Sequence, residues 1–129
     1  MNFNNILIGS ADPKPLVDYY TKMLGEPMMA DEGYTGWQIG TGFISIGHHS
    51  EVSGKNSQPG RLIWNIETAD VKGEFEKMKA AGAIVVREPY SFDEIPEAAD
   101  MWIATLADPD DNYFQLMTPM GPEGSGTTS

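Results

Sequence analysis

His48 and His49 are the only imidazoles in this chain, and they are adjacent. Neighbouring residues on a strand point to opposite faces, so the two cannot easily grip one ion. His49 could instead handle a proton or a ligand oxygen at a pocket mouth; the alternative is a pair of exposed loop histidines where a strand frays. Glu67 has a similar double reading. Near a strand end it could act as general base or as counter-charge to a cationic ligand, or it could sit at a wet rim. Tyr113 adds a phenol. The chain has no cysteine, which removes thiol nucleophiles, Cys-ligated zinc, iron–sulfur clusters and disulfide scaffolds. Three tryptophans, Trp37, Trp64 and Trp102, and five tyrosines offer ring faces on which a flat ligand could stack. Met23 and Met78, at helical spacing, read as core filler.

Charge narrows the partners. Nineteen acidic side chains against eight basic ones give a net charge of −11, a field that repels phosphate backbones and anionic lipid. Nucleic-acid and membrane roles are therefore not expected. No stretch approaches the ~18–20 apolar residues of a membrane span, and the first residues lack the basic and apolar parts of a signal peptide. The expectation is a cytoplasmic protein. At 129 residues and 40% hydrophobic content the chain suits one domain, here residues 1–119, with a flexible tail over 120–129.

A polar stretch, residues 49–60 (HSEVSGKNSQPG), divides the domain into modules of about 3–50 and 60–119. Each opens with an Ile-rich extended segment (5–9 and 62–67), reaches an Ala-Asp pair and enters a helical pattern. Asp12 is a plausible N-cap with Pro13 at the first helical position, and Gly25 stops the helix. Asp70 and Gly82 bracket the second helix. Strands follow around 28–30 and at 36–39 and 43–47, then at 83–87, 101–106 and 113–117. The order is βαβββ twice, an α+β arrangement. Residues 88–100 (EPYSFDEIPEAAD) carry five acids and form either a lid or a solvated loop.

Strand parity sorts the faces. Ile6, Ile8, Ile44, Ile46, Trp64, Ile66, Phe114 and Leu116 share one wholly apolar face, which should lie under the helices. The opposite face collects Asn5, Leu7, Phe43, Ser45, Gly47, Ile63, Asn65, Glu67, Tyr113, Gln115 and Met117. A solvent face would show Lys, Glu and Thr; neutral polar groups mixed with aromatic and aliphatic ones suit a ligand cavity. Trp37, Trp102 and His49 complete the candidate binding set.

Three segments carry a family likeness. Residues 6–25 (ILIGSADPKPLVDYYTKMLG), 69–82 (ADVKGEFEKMKAAG) and 107–117 (ADPDDNYFQLM) resemble, in order and spacing, the vicinal oxygen chelate superfamily of glyoxalases, bleomycin-resistance proteins and ring-cleaving dioxygenases. The resemblance implies paired βαβββ modules forming a curved mixed sheet around a concave cavity, and a homodimer. The family usually has Gly where Asp111 stands, so slight backbone strain is expected there.

Metal-dependent members of that family hold one divalent ion on four side chains, a His or Gln and typically a Glu from each module. By register these places fall on Asn5, Ser45, Ile63 and Gln115. Isoleucine has no lone pair, and neutral amide or hydroxyl oxygens bind transition metals weakly. No metal or other cofactor is expected, and glyoxalase or extradiol chemistry is disfavoured. The leading expectation is a metal-independent protein binding a small molecule, ring-containing or cationic, by sequestration as in the bleomycin-resistance type. The alternative is an enzyme of the same superfamily, lyase, isomerase or dioxygenase-like, with an atypical or metal-free site using Glu67, His49 or Tyr113.

Overall fold

The structure is a computed structural model that describes residues 1–92, 94–98 and 100–120; the tail expected over 120–129 lies, beyond Met120, outside the described residues. The chain forms two compact units. One comprises Met1–Ser57 with the turn Asp108–Asp111, the other Gln58–Ala107 with the chain from Asn112 onward. Each contains one βαβββ module.

In the first unit, β1 (Ile6–Ser10) runs parallel to β4 (Gly42–His48), and β3 (Tyr34–Ile39) and β2 (Met29–Asp31) add antiparallel, in the order β1-β4-β3-β2. Helix α1 (Pro13–Leu24) buries Leu16, Tyr19, Tyr20 and Met23. It meets Ile44, Ile46 and Trp37, all buried, and each such large apolar side chain contributes about 1.5–3 kcal/mol by leaving water. Pro13 opens the helix and Gly25 closes it at φ 94°, its N–H donating to Thr21 O. Asp12 occupies the cap position, but its side chain makes no cap bond. Instead the Asp12 N–H donates to Ser10 Oγ at 3.1 Å.

The Asp-Pro-Asp-Asp turn belongs to this unit. Asp108 is fully buried and is not left bare: Tyr20 OH donates to its Oδ2 at 2.8 Å, and the Asp110 N–H donates to its Oδ1. Ser10, also fully buried, donates its hydroxyl to Asp110 Oδ2 at 2.6 Å. Asp111 is the one non-glycine residue at positive φ among the described residues, at 67°, as expected for a residue standing in a glycine place.

The second unit repeats the plan. β5 (Ile63–Glu67) runs parallel to β8 (Tyr113–Met117), with β7 (Trp102–Ala107) and β6 (Ile84–Ser91) antiparallel, in the order β5-β8-β7-β6. Helix α2 (Val71–Ala80) is capped by Asp70, whose Oδ1 accepts the Gly73 N–H at 3.0 Å. It buries Val71, Phe75 and Met78 over the face holding Ala104, Leu106, Phe114 and Leu116, with Trp64 stacked on Phe114 at 5.2 Å.

Two boundaries differ from expectation by more than one residue. β3 begins two residues early, at Tyr34. β6 continues to Ser91, so the first four residues of the acidic loop are strand; the extension is made possible by register shifts between Val85 and Arg87 and between Arg87 and Tyr90. No helix among the described residues is long and apolar enough to cross a membrane.

Candidate functional site

In each unit the helix lies on one side of the sheet, and the face without a helix presents rows of side chains that the strand register defines. In the first unit one row runs Leu7, Ser45, Gly36, Met29, and the next Gly9, Gly47, Tyr34, Asp31. The glycines make room for rings. A Cβ on Gly36 would come 2.4 Å from the Phe43 ring, and one on Gly47 2.6 Å from the Tyr34 ring, so both rings lie against bare backbone. Leu7 and Tyr34 remain nearly half exposed, at 45% and 47%. Ser45 Oγ donates to Asn5 Oδ1 at a long 3.4 Å. The face is an apolar and aromatic platform edged by a few polar groups, the Ser45 and Tyr34 hydroxyls, the Asn5 and Gln38 amides and the Asp31 carboxylate.

In the second unit the rows are Ile63, Tyr113, Ala107, Ile84; then Asn65, Gln115, Thr105, Arg87; then Glu67, Met117, Ile103, Tyr90. The middle row is polar across all four strands. Gln115 Nε2 donates to Thr105 Oγ1 at 3.0 Å, which fixes the amide. Arg87 packs its guanidinium on the Tyr90 ring, 3.6 Å from the centroid. Glu67 is exposed at the strand end, and its Oε2 accepts the Met120 N–H at 3.3 Å.

Of the twelve candidate residues, Asn5, Leu7, Phe43 and Ser45 gather on the first face, and Ile63, Asn65, Glu67, Tyr113 and Gln115 on the second. His49 lies just past β4 on the first unit, exposed, with its Cβ against Gly9. Its Nδ1 accepts the Glu51 N–H at 3.1 Å, which leaves the ring proton of the neutral form on Nε2.

Two candidates are corrected. Trp37 opposes Ile44 on the helix side, is only 2% exposed, and donates its Nε1–H to Gly25 O at 2.9 Å. Trp102 shares the parity of buried Ala104 and Leu106, and the Lys72 ammonium sits 3.7 Å from its ring. It lines a separate hollow of about 310 Å³ at the start of α2, with Asp70, Asp100 and Thr118. Both tryptophans were candidates for their ring faces alone, and the pairing of their strands turns both toward the helix side.

Sequence reading missed Tyr34 and Met29 on the first face and Thr105, Arg87 and Tyr90 on the second. Thr105 was within reach, since the β7–β8 hairpin sets it opposite Gln115. Arg87 was not, because the register shifts decide its side.

The four places that the family resemblance assigns to a metal, Asn5, Ser45, Ile63 and Gln115, carry an amide, a hydroxyl, a hydrocarbon and an amide. Ser45 and Gln115 already donate to Asn5 and Thr105. No carboxylate, imidazole or thiolate stands among them, so this donor set does not fit a divalent transition metal. Among the described residues no group of three or more His, Asp or Glu converges elsewhere.

Comparison with known proteins follows the same outline. No curated protein matches by sequence. Among solved structures, a glyoxalase/bleomycin resistance protein from Albidiferax ferrireducens T118 matches with a TM-score of 0.68 at 18% identity, over 91% of this chain and 98% of its own. A glyoxalase-related enzyme from Fulvimarina pelagi matches at 0.68 and 19%, over 100% and 99%. A bleomycin-binding protein complexed with bleomycin matches at 0.64 and 14%, over 92% and 99%. At these identities the likeness shows the fold. The family model for the glyoxalase-like domain covers residues 5–117, nearly the whole of both modules, and the chain belongs to that family within the vicinal oxygen chelate superfamily.

Proposed function

We propose that this protein binds a ring-containing small molecule on the helix-free faces of its sheets and does so without a metal ion at the four family positions. The observation that carries the reading is the composition of those faces. On the first face Phe43, Tyr34, Leu7 and Met29 supply exposed or half-exposed apolar area beside Ser45 and Asn5, and on the second Ile63, Tyr113 and Met117 supply it beside Asn65 and Gln115. Apolar walls with a few placed polar groups are what orient and desolvate a small ligand. A relative of the same fold is a bleomycin-binding protein, which supports a binding role for the scaffold. The protein is taken to work as a homodimer, for which light scattering should return a mass near twice 14.1 kDa.

A thermal-shift screen of ring-containing compounds, spanning anions, neutrals and cations, tests the reading. A ligand at 100 times its Kd should stabilise by about 2.7 kcal/mol, and Phe43→Ala should remove most of the shift of a ligand held on the first face. The reading fails if no compound class shifts the transition, or if a hit turns over only after Mn²⁺, Zn²⁺ or Ni²⁺ is added.

A further inference from the structure

We infer that the helix-free face of the second unit takes the carboxylate of its ligand on Arg87. The inference rests on the small-molecule reading above and adds the charge of the ligand, which the net charge of −11 would have suggested to be positive.

The path of β6 is what aims this residue. Val85 opposes Leu106, on the helix side, yet Arg87 opposes Thr105, on the other side; one extra residue in β6 against β7 separates the two pairs. Without that bulge, residues 85 and 87 would face the same way. A second extra residue before Tyr90, which opposes Ile103, returns the ring to the face that Arg87 occupies. The two bulges therefore bring a guanidinium and a phenol ring together from positions three apart, where a regular strand would part them. Bulges that re-aim side chains in this way are common beside active sites.

The guanidinium is held ready. Tyr90, against which it stacks, is itself braced edge-on by Phe92 at 5.5 Å. Arg87 pairs with no carboxylate among the described residues, although the chain has 19 acids. Its neighbour Glu88 lies 3.6 Å from Lys79 instead. Of the eight lysines and arginines, Arg87 is the one that stands on a strand. An arginine fork matches a carboxylate in two parallel hydrogen bonds, and stacking on a ring preorganises it for that contact. Thr105, Gln115 and Asn65 continue the polar row from Arg87. Ile63 and Tyr113 on one side, and Met117 and Ile103 on the other, offer apolar surface to the body of the ligand.

Calorimetry with matched probes tests this: benzoate and 2-naphthoate, their neutral amides, and benzylammonium, each against the full chain. Arg87→Met should leave the fold intact, since the side chain is exposed, with circular dichroism as the control. The carboxylates should bind at least about ten-fold tighter than the amides, and Arg87→Met should weaken them roughly 10- to 100-fold. Arg87→Lys should recover part of the loss. In the ¹⁵N spectrum benzoate should move the amides of Thr105 and Gln115. Amides or benzylammonium binding as well as the carboxylates, with Arg87→Met without effect, would overturn the inference and leave the small-molecule reading standing. Failure of every probe, together with an empty screen, would end both.

Discussion

At the scale of single residues, small side chains decide what the faces look like. Gly36 and Gly47 are conspicuous only once the register is known, because each leaves the space a ring occupies. Gly36→Ala should push the Phe43 ring off the sheet, its new Cβ starting 2.4 Å from ring carbon. We expect a loss of about 1 kcal/mol in chemical denaturation, at the low end for overpacking because the ring can swing toward solvent, with binding at the first face lost alongside. Asp111 is the opposite case. At φ 67° it holds a conformation that costs a side-chain-bearing residue roughly 1–2 kcal/mol, partly relieved for Asp. Asp111→Gly should therefore raise stability by up to about 1 kcal/mol, and Asp111→Ala should lower it; a stabilising alanine would show that the turn is unstrained. This strain was legible in the sequence, because an acidic residue stands where the family resemblance calls for Gly.

At the scale of elements, the two helices share a plan and differ in how they begin. Asp70 caps α2 through the Gly73 N–H, whereas Asp12 leaves its helix uncapped and Ser10 takes the Asp12 N–H. Asp70→Ala should cost about 1 kcal/mol, and Asp12→Ala clearly less, measured as paired shifts in the urea midpoint. Equal losses would mean that Asp12 caps in solution. Both aspartates looked alike in sequence, since a cap residue is recognised by type and place while the bond depends on local backbone angles. Strand elements were readable wherever pairing is regular. Apolar alternation put Ile44, Ile46, Phe114 and Leu116 on the buried face, and they are there. Alternation could not carry through β6, where two bulges reverse the count, and it placed neither Trp37 nor Trp102, whose strands lie outside the segments it sorted.

At the scale of the whole molecule, the family assignment and the chemistry of the site separate. The chain belongs to the glyoxalase-like family, yet Asn5, Ser45, Ile63 and Gln115, where the family resemblance would put metal ligands, supply no strong donor. Protein purified without chelators should carry well under one equivalent of metal. Millimolar Zn²⁺, Ni²⁺ or Mn²⁺ should leave the melting temperature unchanged, because neutral oxygens beside a hydrocarbon gain too little from the ion to offset its dehydration. Stoichiometric metal in elemental analysis would refute this. The amino-acid order alone determined the doubled βαβββ plan, the helix limits and the apolar faces. These are properties of local periodicity, turn chemistry and side-chain type, each read within a few residues. Only the tertiary structure decided which tryptophans turn inward, which rings lie on glycines, and that a lone strand arginine faces the polar row. Those depend on register between strands distant in sequence, and one inserted residue in a ladder sends every side chain beyond it to the other side.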